Sequence, residues 1–492
     1  MSDKRPLSPS LGENVAALQA QFHNSADLVI RPIHVAEHKA AVVSIEGMVD
    51  RHAVADAIIL PLVQLQVQYE LPNDLFAYIK QHVLGIVDIL EARDIQTLAE
   101  LIVSGFVAVL VDGVDMAALG GMQAFMIRSI SEPSTETTLR GSREGFTEAV
   151  RINMSMIRRR LKTSQLMFET LTVGKSSQTS VCLCYLRDRV SSSLLQDVRG
   201  RIQECPLETV LESGYLQPFL EGEYDAPFAG VGTTERPDTL CGKMAEGRIG
   251  VLVDGTPFAL VVPYLFAENF QSMDDYTAQP LYAGFIRVIK YIAFFVSLFL
   301  PALYVAIGTH HAEMLPSVLL LSFINSDRST PFSLTTEALL IHFVFEIMRE
   351  AGLRFPKSVG HAVSIVGALV IGESAVRAGL VGAPMIIVVA LTSISAFVIP
   401  SLYGNIVTLR FVFIVLGGTL GIYGVLLGAL LLLCRVCAVN IDSIPYTAPI
   451  TPFSLKAMRD VFVRMGWPLL GRHRFLVQNV VGSDIKEGEK GE

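Results

Sequence analysis

His342, Glu346 and Arg349 recur at helical spacing within a stretch, 335–350, that is otherwise rich in apolar residues. At 100° per residue they share a stripe with Glu350, about 100° wide, while Glu337 falls on the opposite side. Ionisable groups on an apolar helix must avoid lipid. Such a stripe can face water in a pore, face another subunit, or lie in the interface plane. In a pore its carboxylate would concentrate cations. Against another helix the same residues would form salt bridges. Both readings stand on the sequence, and His342, Glu346 and Arg349 are the candidate pore-lining residues.

No enzyme chemistry assembles elsewhere. Gly174-Lys175-Ser176 resembles the end of a phosphate-binding loop, but the glycine required five positions earlier is Glu169. Nucleophile-elbow, zinc-protease and dinucleotide-binding signatures are absent from the sequence. His310 and His311 are adjacent, so on a helix they diverge by about 100° and do not share a metal easily. Asp274 and Asp275 read as a polar collar before an apolar run. The six cysteines, 182, 184, 205, 241, 434 and 437, form no disulfide framework. Cys434 and Cys437 have CxxC spacing but lack the second pair of a zinc site. The expectation is a protein that is not an enzyme and has no catalytic residues, metal or cofactor.

The elements that would position the stripe divide the chain in two. Its 492 residues are 51% hydrophobic, with a net charge of −8 that speaks against nucleic-acid binding. Residues 291–307 run for seventeen positions without a charge, close to the roughly 20 needed to span a bilayer. Further apolar runs cover 363–371, 385–400 and 411–433, and 315–322 is long enough only for a re-entrant or interfacial piece. Between two of these runs, Glu373 and Arg377 are spaced to pair on one helical face. Gly417, Gly421, Gly424 and Gly428 line one face of the last run. Small residues at that rhythm let helices pack closely; a gating hinge is the alternative. Met1 to Pro6 show no apolar signal region, and basic residues flank the apolar block at both ends. Both ends are therefore expected inside, with an even number of crossings, four to six.

The first half reads as α/β. Residues 105–113 and 247–255 are matching β-rich runs ending in Asp-Gly, each followed by another apolar run, a hairpin signal. Upstream of each lies a candidate strand, 40–45 and 180–186, then a helical stretch, 53–62 and 193–202. Two related α/β subdomains are the simplest account; coincidence between two ordinary hairpins is the alternative. A polar helix over 142–162, with Arg151, Arg158, Arg159 and Arg160, is expected to bridge them; its basic run reads as a solvated face, with contact to anionic lipid or RNA as the alternative. The Asp-Gly aspartates, Asp112 and Asp254, are explained as turn residues. The expected organisation is a disordered N-terminus over 1–30, a first α/β subdomain over 31–140, and a linker helix with a second subdomain over 141–283. An α-helical transmembrane bundle over 284–438 and a cytoplasmic tail over 439–492 follow.

With these residues laid out, the chain resembles the A subunits of spore germinant receptors, the GerA family of endospore-forming bacteria. Arg140-Gly-Ser-Arg-Glu-Gly-Phe146 is similar to the family's R-G-P-R-E-G-F, with Ser142 for proline. Arg158-Arg-Arg-Leu161, Thr172–Thr179, Thr234-Glu-Arg-Pro-Asp238 and Glu246–Phe258 match further signatures, with Lys175 as a departure. Phe270-Gln-Ser272 with Asp275-Tyr276 resembles F-Q-S-x-x-D-Y-Y, with Thr277 for the second tyrosine. Glu346–Gly352 and Ala362–Gly372 resemble the membrane signatures of the receptor branch more than those of the SpoVAF-like sister branch. The resemblance implies a subunit of a nutrient-gated complex in the inner membrane of the spore, with its N-terminal domain and C-terminal tail on the core side. It implies a transporter-like B subunit and a lipoprotein C subunit as partners. It further implies a homo-oligomer in membrane lipid that forms a path for monovalent cations and starts germination. A secondary transporter, or a scaffold that clusters receptors without its own pore, remains the alternative. The triggering nutrient and the subunit number are not legible.

Overall fold

The computed structural model describes the chain apart from residues 1–4, 67–70, 87, 124–131, 134, 139, 222–226, 317–329, 355–371, 456, 472–474, 484 and 486–492. The predicted re-entrant piece, the 363–371 run and the Ala362–Gly372 signature lie wholly or mostly outside the described residues.

The β-branched and apolar runs become two antiparallel sheets. The first holds β1 (Leu28–Val35), β2 (His38–Ile45), β3 (Ile89–Ala92), β4 (Phe106–Val111) and β5 (Ala117–Gly121), in the order β1-β2-β4-β5-β3. The second holds β6 (Leu166–Val173), β7 (Thr179–Leu186), β8 (Gly232–Thr234), β9 (Ile249–Val253) and β10 (Ala259–Val262), in the order β6-β7-β9-β10-β8. Position for position the two orders are identical, which makes the subdomains related in plan. The central strands are buried because helices cover the sheets: α2 (Ile95–Val103) in the first subdomain, α4 (Ser192–Gln203) and α5 (Pro237–Ala245) in the second.

The kinship extends to a helix that the sequence expectation left out. Residues 1–30 were expected to be disordered, but α1 (Leu11–Gln21) is a helix with Leu18 and Phe22 fully buried. Its counterpart is α3 (Val150–Arg160). Asp112 Oδ1 accepts from the Leu11 amide at 2.8 Å, and Asp254 Oδ1 from the Val150 amide at 3.0 Å. The neighbouring glycine amides, Gly113 and Gly255, donate to Pro9 and Glu148, each at 2.7 Å. Asn14 and Asn153 close the same loop onto Ser8 and Thr147. The Asp-Gly signals thus do mark hairpins, Leu110 pairing with Ala117 and Leu252 with Ala259. Their loops are longer than two-residue primed turns, since each aspartate is spent capping a helix.

The basic run does not make a solvated face. Arg158 is fully buried: its Nε donates to Asp27 Oδ2 at 2.7 Å, its Nη2 to Asp27 Oδ1 at 2.9 Å, and further bonds reach the Thr163 and Leu166 carbonyls. Arg159 and Arg160 both reach Glu144. This pairing staples the first subdomain, which carries Asp27, to α3. The helix is shorter than 142–162, because the Asp254 cap sets its start.

The C-terminal half is helical: α6 (Pro280–His310), α7 (Leu334–Arg354), α8 (Ala383–Phe397) and α9 (Tyr403–Ala438). By length and composition α6 and the 400–438 segment are long and apolar enough to cross a membrane, and α8 is a shorter apolar helix. The run 411–433, read as one span, is not straight. Gly421 has φ 64° and ψ −151°, a region open essentially to glycine alone. A Cβ on Gly428 would lie 2.9 Å from Phe413 and 2.7 Å from Leu416, whereas a straight helix would separate these residues by about 18–22 Å. The chain therefore reverses at Gly421. Its arms, 403–420 and 422–438, are about 27 and 25 Å long at 1.5 Å per residue, the lower end for a crossing. Both return to the second subdomain, where Asn405 donates to the Pro227 carbonyl at 2.8 Å and Ile441 packs on Gly230.

Candidate functional site

Helix α7 runs antiparallel to the first arm of α9: Thr335 lies against Gly418 near one end, and Glu346 meets Tyr403 and Arg410 near the other. On that arm Ile406, Arg410, Phe413, Ile414 and Gly417 are buried, a helical face turned inward by its apolar spacing. Arg410 rides on this face and is fully buried. Its Nη2 donates to Glu346 Oε1 at 2.8 Å. The Tyr403 hydroxyl lies 3.0 Å from both Glu346 oxygens, and Arg349 Nε donates to Glu346 Oε2 at 2.9 Å. Arg349 also lies over the Tyr403 ring, 4.5 Å from its centroid. Glu346 therefore ties two helices together with both oxygens engaged.

His342 is fully buried, with Nδ1 2.9 Å from the Ala338 carbonyl and Nε2 without a partner among the described residues. Arg410 Nε and Nη1 are buried and likewise have no partner among the described residues. Arg349, a quarter exposed, also lies 3.6 Å from Glu350 Oε2, so the part of the network deep in the apolar bundle is the Arg410–Glu346 pair. Buried groups of this kind are expensive and mark functional elements. On the other side of α7, Glu337 is buried and accepts from the Gly382 amide at 2.8 Å, at the start of α8. The stripe of His342, Glu346 and Arg349 is thus turned toward α9 within one chain. Arg410 and Tyr403 were missed in the sequence because the last apolar run was started at Phe411. A lone arginine just before that run was the available signal.

The glycine stripe packs helices. A Cβ on Gly417 would lie 2.6 Å from the Ala302 carbonyl of α6, and one on Gly424 2.5 Å from the Leu416 carbonyl of the first arm. Gly421 makes the reversal, and Gly428 seats Phe413 and Leu416. Glu373 and Arg377 form an exposed i, i+4 pair.

At the base of α6 a second network joins three parts of the chain. Arg287, fully buried, donates to Asp275 Oδ2 at 2.8 Å, to Asp460 Oδ1 at 2.8 Å and to the Asp460 carbonyl at 2.6 Å. The Tyr276 hydroxyl donates to Asp460 Oδ2 at 2.8 Å. Asp275 is therefore a buried partner of the helix base, while Asp274, in the same short helix Met273–Thr277, is half-buried. In the second subdomain Arg236 holds the loop carrying Glu136, Thr138 and Ser142. Burial alone would raise the Glu268 carboxyl, but Arg248 and Lys243 beside it hold it below the usual carboxylate range.

Gly174-Lys175-Ser176 lies in the β6–β7 connection, strand to strand, where Ser176 bonds Glu208. Burial pushes the Cys182, Cys184 and Cys241 thiols up, the last to about 12, so they pack rather than react. Among the described residues no group of three His, Cys, Asp or Glu is placed to hold a metal.

Comparison with known proteins bears on this arrangement. A family model described as Bacillus/Clostridium GerA spore germination protein matches residues 16–474. The chain is 37% identical over 469 residues to spore germination protein KA of Bacillus subtilis (strain 168), covering 94% of this chain and 85% of that protein. It is 31% identical over 464 residues to spore germination protein GerLA of Bacillus cereus, covering 93% of this chain and 94% of that one. Among solved structures, the N-terminal domain of the A subunit of the Bacillus megaterium spore germinant receptor GerK3 aligns with a TM-score of 0.42 and 28% identity, over 54% of this chain and 98% of that one.

Proposed function

Since the chain belongs to the family of Bacillus/Clostridium GerA spore germination proteins, we propose that it is the A subunit of a nutrient-gated germinant receptor whose helical half, in several copies, forms a cation-release path. Its partners in this reading are a transporter-like B subunit, a lipoprotein C subunit and the lipid of the inner spore membrane. The observation that carries the proposal is the buried network of Glu346, Arg349, Tyr403 and Arg410. A carboxylate that attracts cations in a pore must be free to do so. Here both oxygens of Glu346 are held by donors, so the network acts as a lock on the closed state. Opening exchanges these partners and frees the carboxylate. The soluble half is connected to the lock mechanically, because both ends of α9 rest on the second subdomain.

The test is reconstitution of the full chain with its B and C subunits in potassium-loaded liposomes. Nutrient-triggered potassium efflux that disappears when this chain is omitted supports the path. Efflux that persists without it overturns the proposal in favour of transport by a partner. Absence of efflux under every nutrient that germinates the spore leaves the chain a scaffold.

A further inference from the structure

Among the described residues, the exposed tyrosine and tryptophan side chains of the helical half sit at two levels. Tyr282, in the first turn of α6, is 59% exposed, and Trp467 is 60% exposed. Trp467 is held at the level of that turn: its Nε1 donates to the Tyr276 carbonyl at 3.3 Å, and Gly466 lies beside Pro280. The segment around it is fastened along the base of α6 by Asp460 on Arg287, Phe462 on Tyr291 and Val463 on Gly284. Arg464, buried beneath, places its guanidinium 5.1 Å from the Trp467 ring. At the far end of α6, Gly421 sits against His310 and His311, and Tyr423 just beyond the reversal is 70% exposed.

From Tyr282 to His310 the helix rises about 42 Å at 1.5 Å per residue. A bilayer with its headgroup regions is about 40–45 Å thick. Between the two levels α6 exposes apolar side chains, among them Ile292 and Phe295. Tryptophan and tyrosine favour the boundary between hydrocarbon and water, where an apolar ring meets a polar edge. We infer that residues 459–469 and the first turns of α6 form a collar lying in the headgroup layer on the soluble-domain side, with Trp467 and Tyr282 as its anchors and Tyr423 marking the opposite boundary. The occupant of this surface is the membrane itself. The collar fixes the depth of α6 and, through Asp460 and Arg287, ties the C-terminal segment to that depth. It rests on the reading of α6 as a spanning helix.

Trp467 is the only tryptophan in the chain, so its fluorescence reports the collar without engineering. The full chain is reconstituted in phosphatidylcholine vesicles carrying a nitroxide either at the headgroup or near the acyl-chain end, with aqueous iodide as a third quencher. Headgroup nitroxide is expected to remove most of the emission, with little loss to the deep nitroxide or to iodide. Strong quenching by iodide alone overturns the collar in favour of a solvated tail. Quenching by none of the three overturns it in favour of a protein-covered surface. A companion variant, Trp467→Phe with Phe295→Trp, is expected to respond to the deep nitroxide. If it does and Trp467 does not respond to the shallow one, the collar fails while the spanning helix stands. If it does not, the spanning reading fails and the collar with it.

Discussion

Replacing Glu346 by Gln separates a lock from an incidental contact. Arg410 is fully buried and its ion pair in the described network is with Glu346, itself mostly buried. Removing one member of a buried pair leaves an uncompensated charge and costs about 3–5 kcal/mol, whereas replacing both by apolar residues of similar volume is neutral or stabilising. Glu346→Gln and Arg410→Met are therefore each expected to destabilise the full chain by about 3–5 kcal/mol. For a domain of this size that is a fall in Tm of roughly 6–20 °C at about 2–4 °C per kcal/mol. Arg349, which is partly exposed, stays close to solvent and limits the loss. Combining Glu346→Leu with Arg410→Met is expected to recover most of the lost stability. Melting followed by circular dichroism on detergent-solubilised full chain reads the cycle. Potassium efflux from liposomes holding the receptor reads the lock: the single variants leak without nutrient, and the double variant melts normally but no longer responds. Additive losses in the double variant would refute the pairing. A Glu346→Gln receptor that melts and gates like the parent would refute the lock.

Three further outcomes follow from named contacts. Gly421→Ala is expected to lower stability by about 1–3 kcal/mol, because φ 64° and ψ −151° are closed to alanine and a Cβ would lie 2.9 Å from His311; in a straight helix the same change would instead raise it by up to about 1 kcal/mol, so the sign of the Tm shift tests the reversal. Arg158→Met strands Asp27 in the joint between the subdomains and is expected to cost about 3–5 kcal/mol, with recovery in a double variant that also carries Asp27→Asn. Burial raises Asp442, just after α9, from 3.8 to about 6, against the pull of Arg201 at 2.6 Å. The folded state then binds this proton more readily than the unfolded one, so the stability is fully present below pH 4 and lost as pH rises through about 6, roughly 3 kcal/mol in all. Asp442→Asn is expected to flatten that part of the Tm profile against pH.

The division into an α/β half and an apolar helical half was legible in the sequence, as were the two Asp-Gly hairpins and the helix carrying His342, Glu346 and Arg349. These features depend on local periodicity and on the transfer free energy of side chains, which act residue by residue. Their partners were not legible. The cap on α1 comes from Asp112, about a hundred positions downstream, so a polar stretch short of aromatics read as disordered. The repeated loops at Ser8–Asn14 and Thr147–Asn153 share geometry while differing in residue type, which conceals the kinship from a reading of letters. Gly421 belonged to a regular stripe that fits an unbroken helix as well as a hairpin. Only packing against α6 and the return of both arms to the second subdomain selects the positive φ there. The sequence by itself determined which residues are too polar for lipid. The tertiary structure decided that Glu346 spends its charge on Arg410, because a buried charge takes its meaning from the group placed within about 3 Å of it.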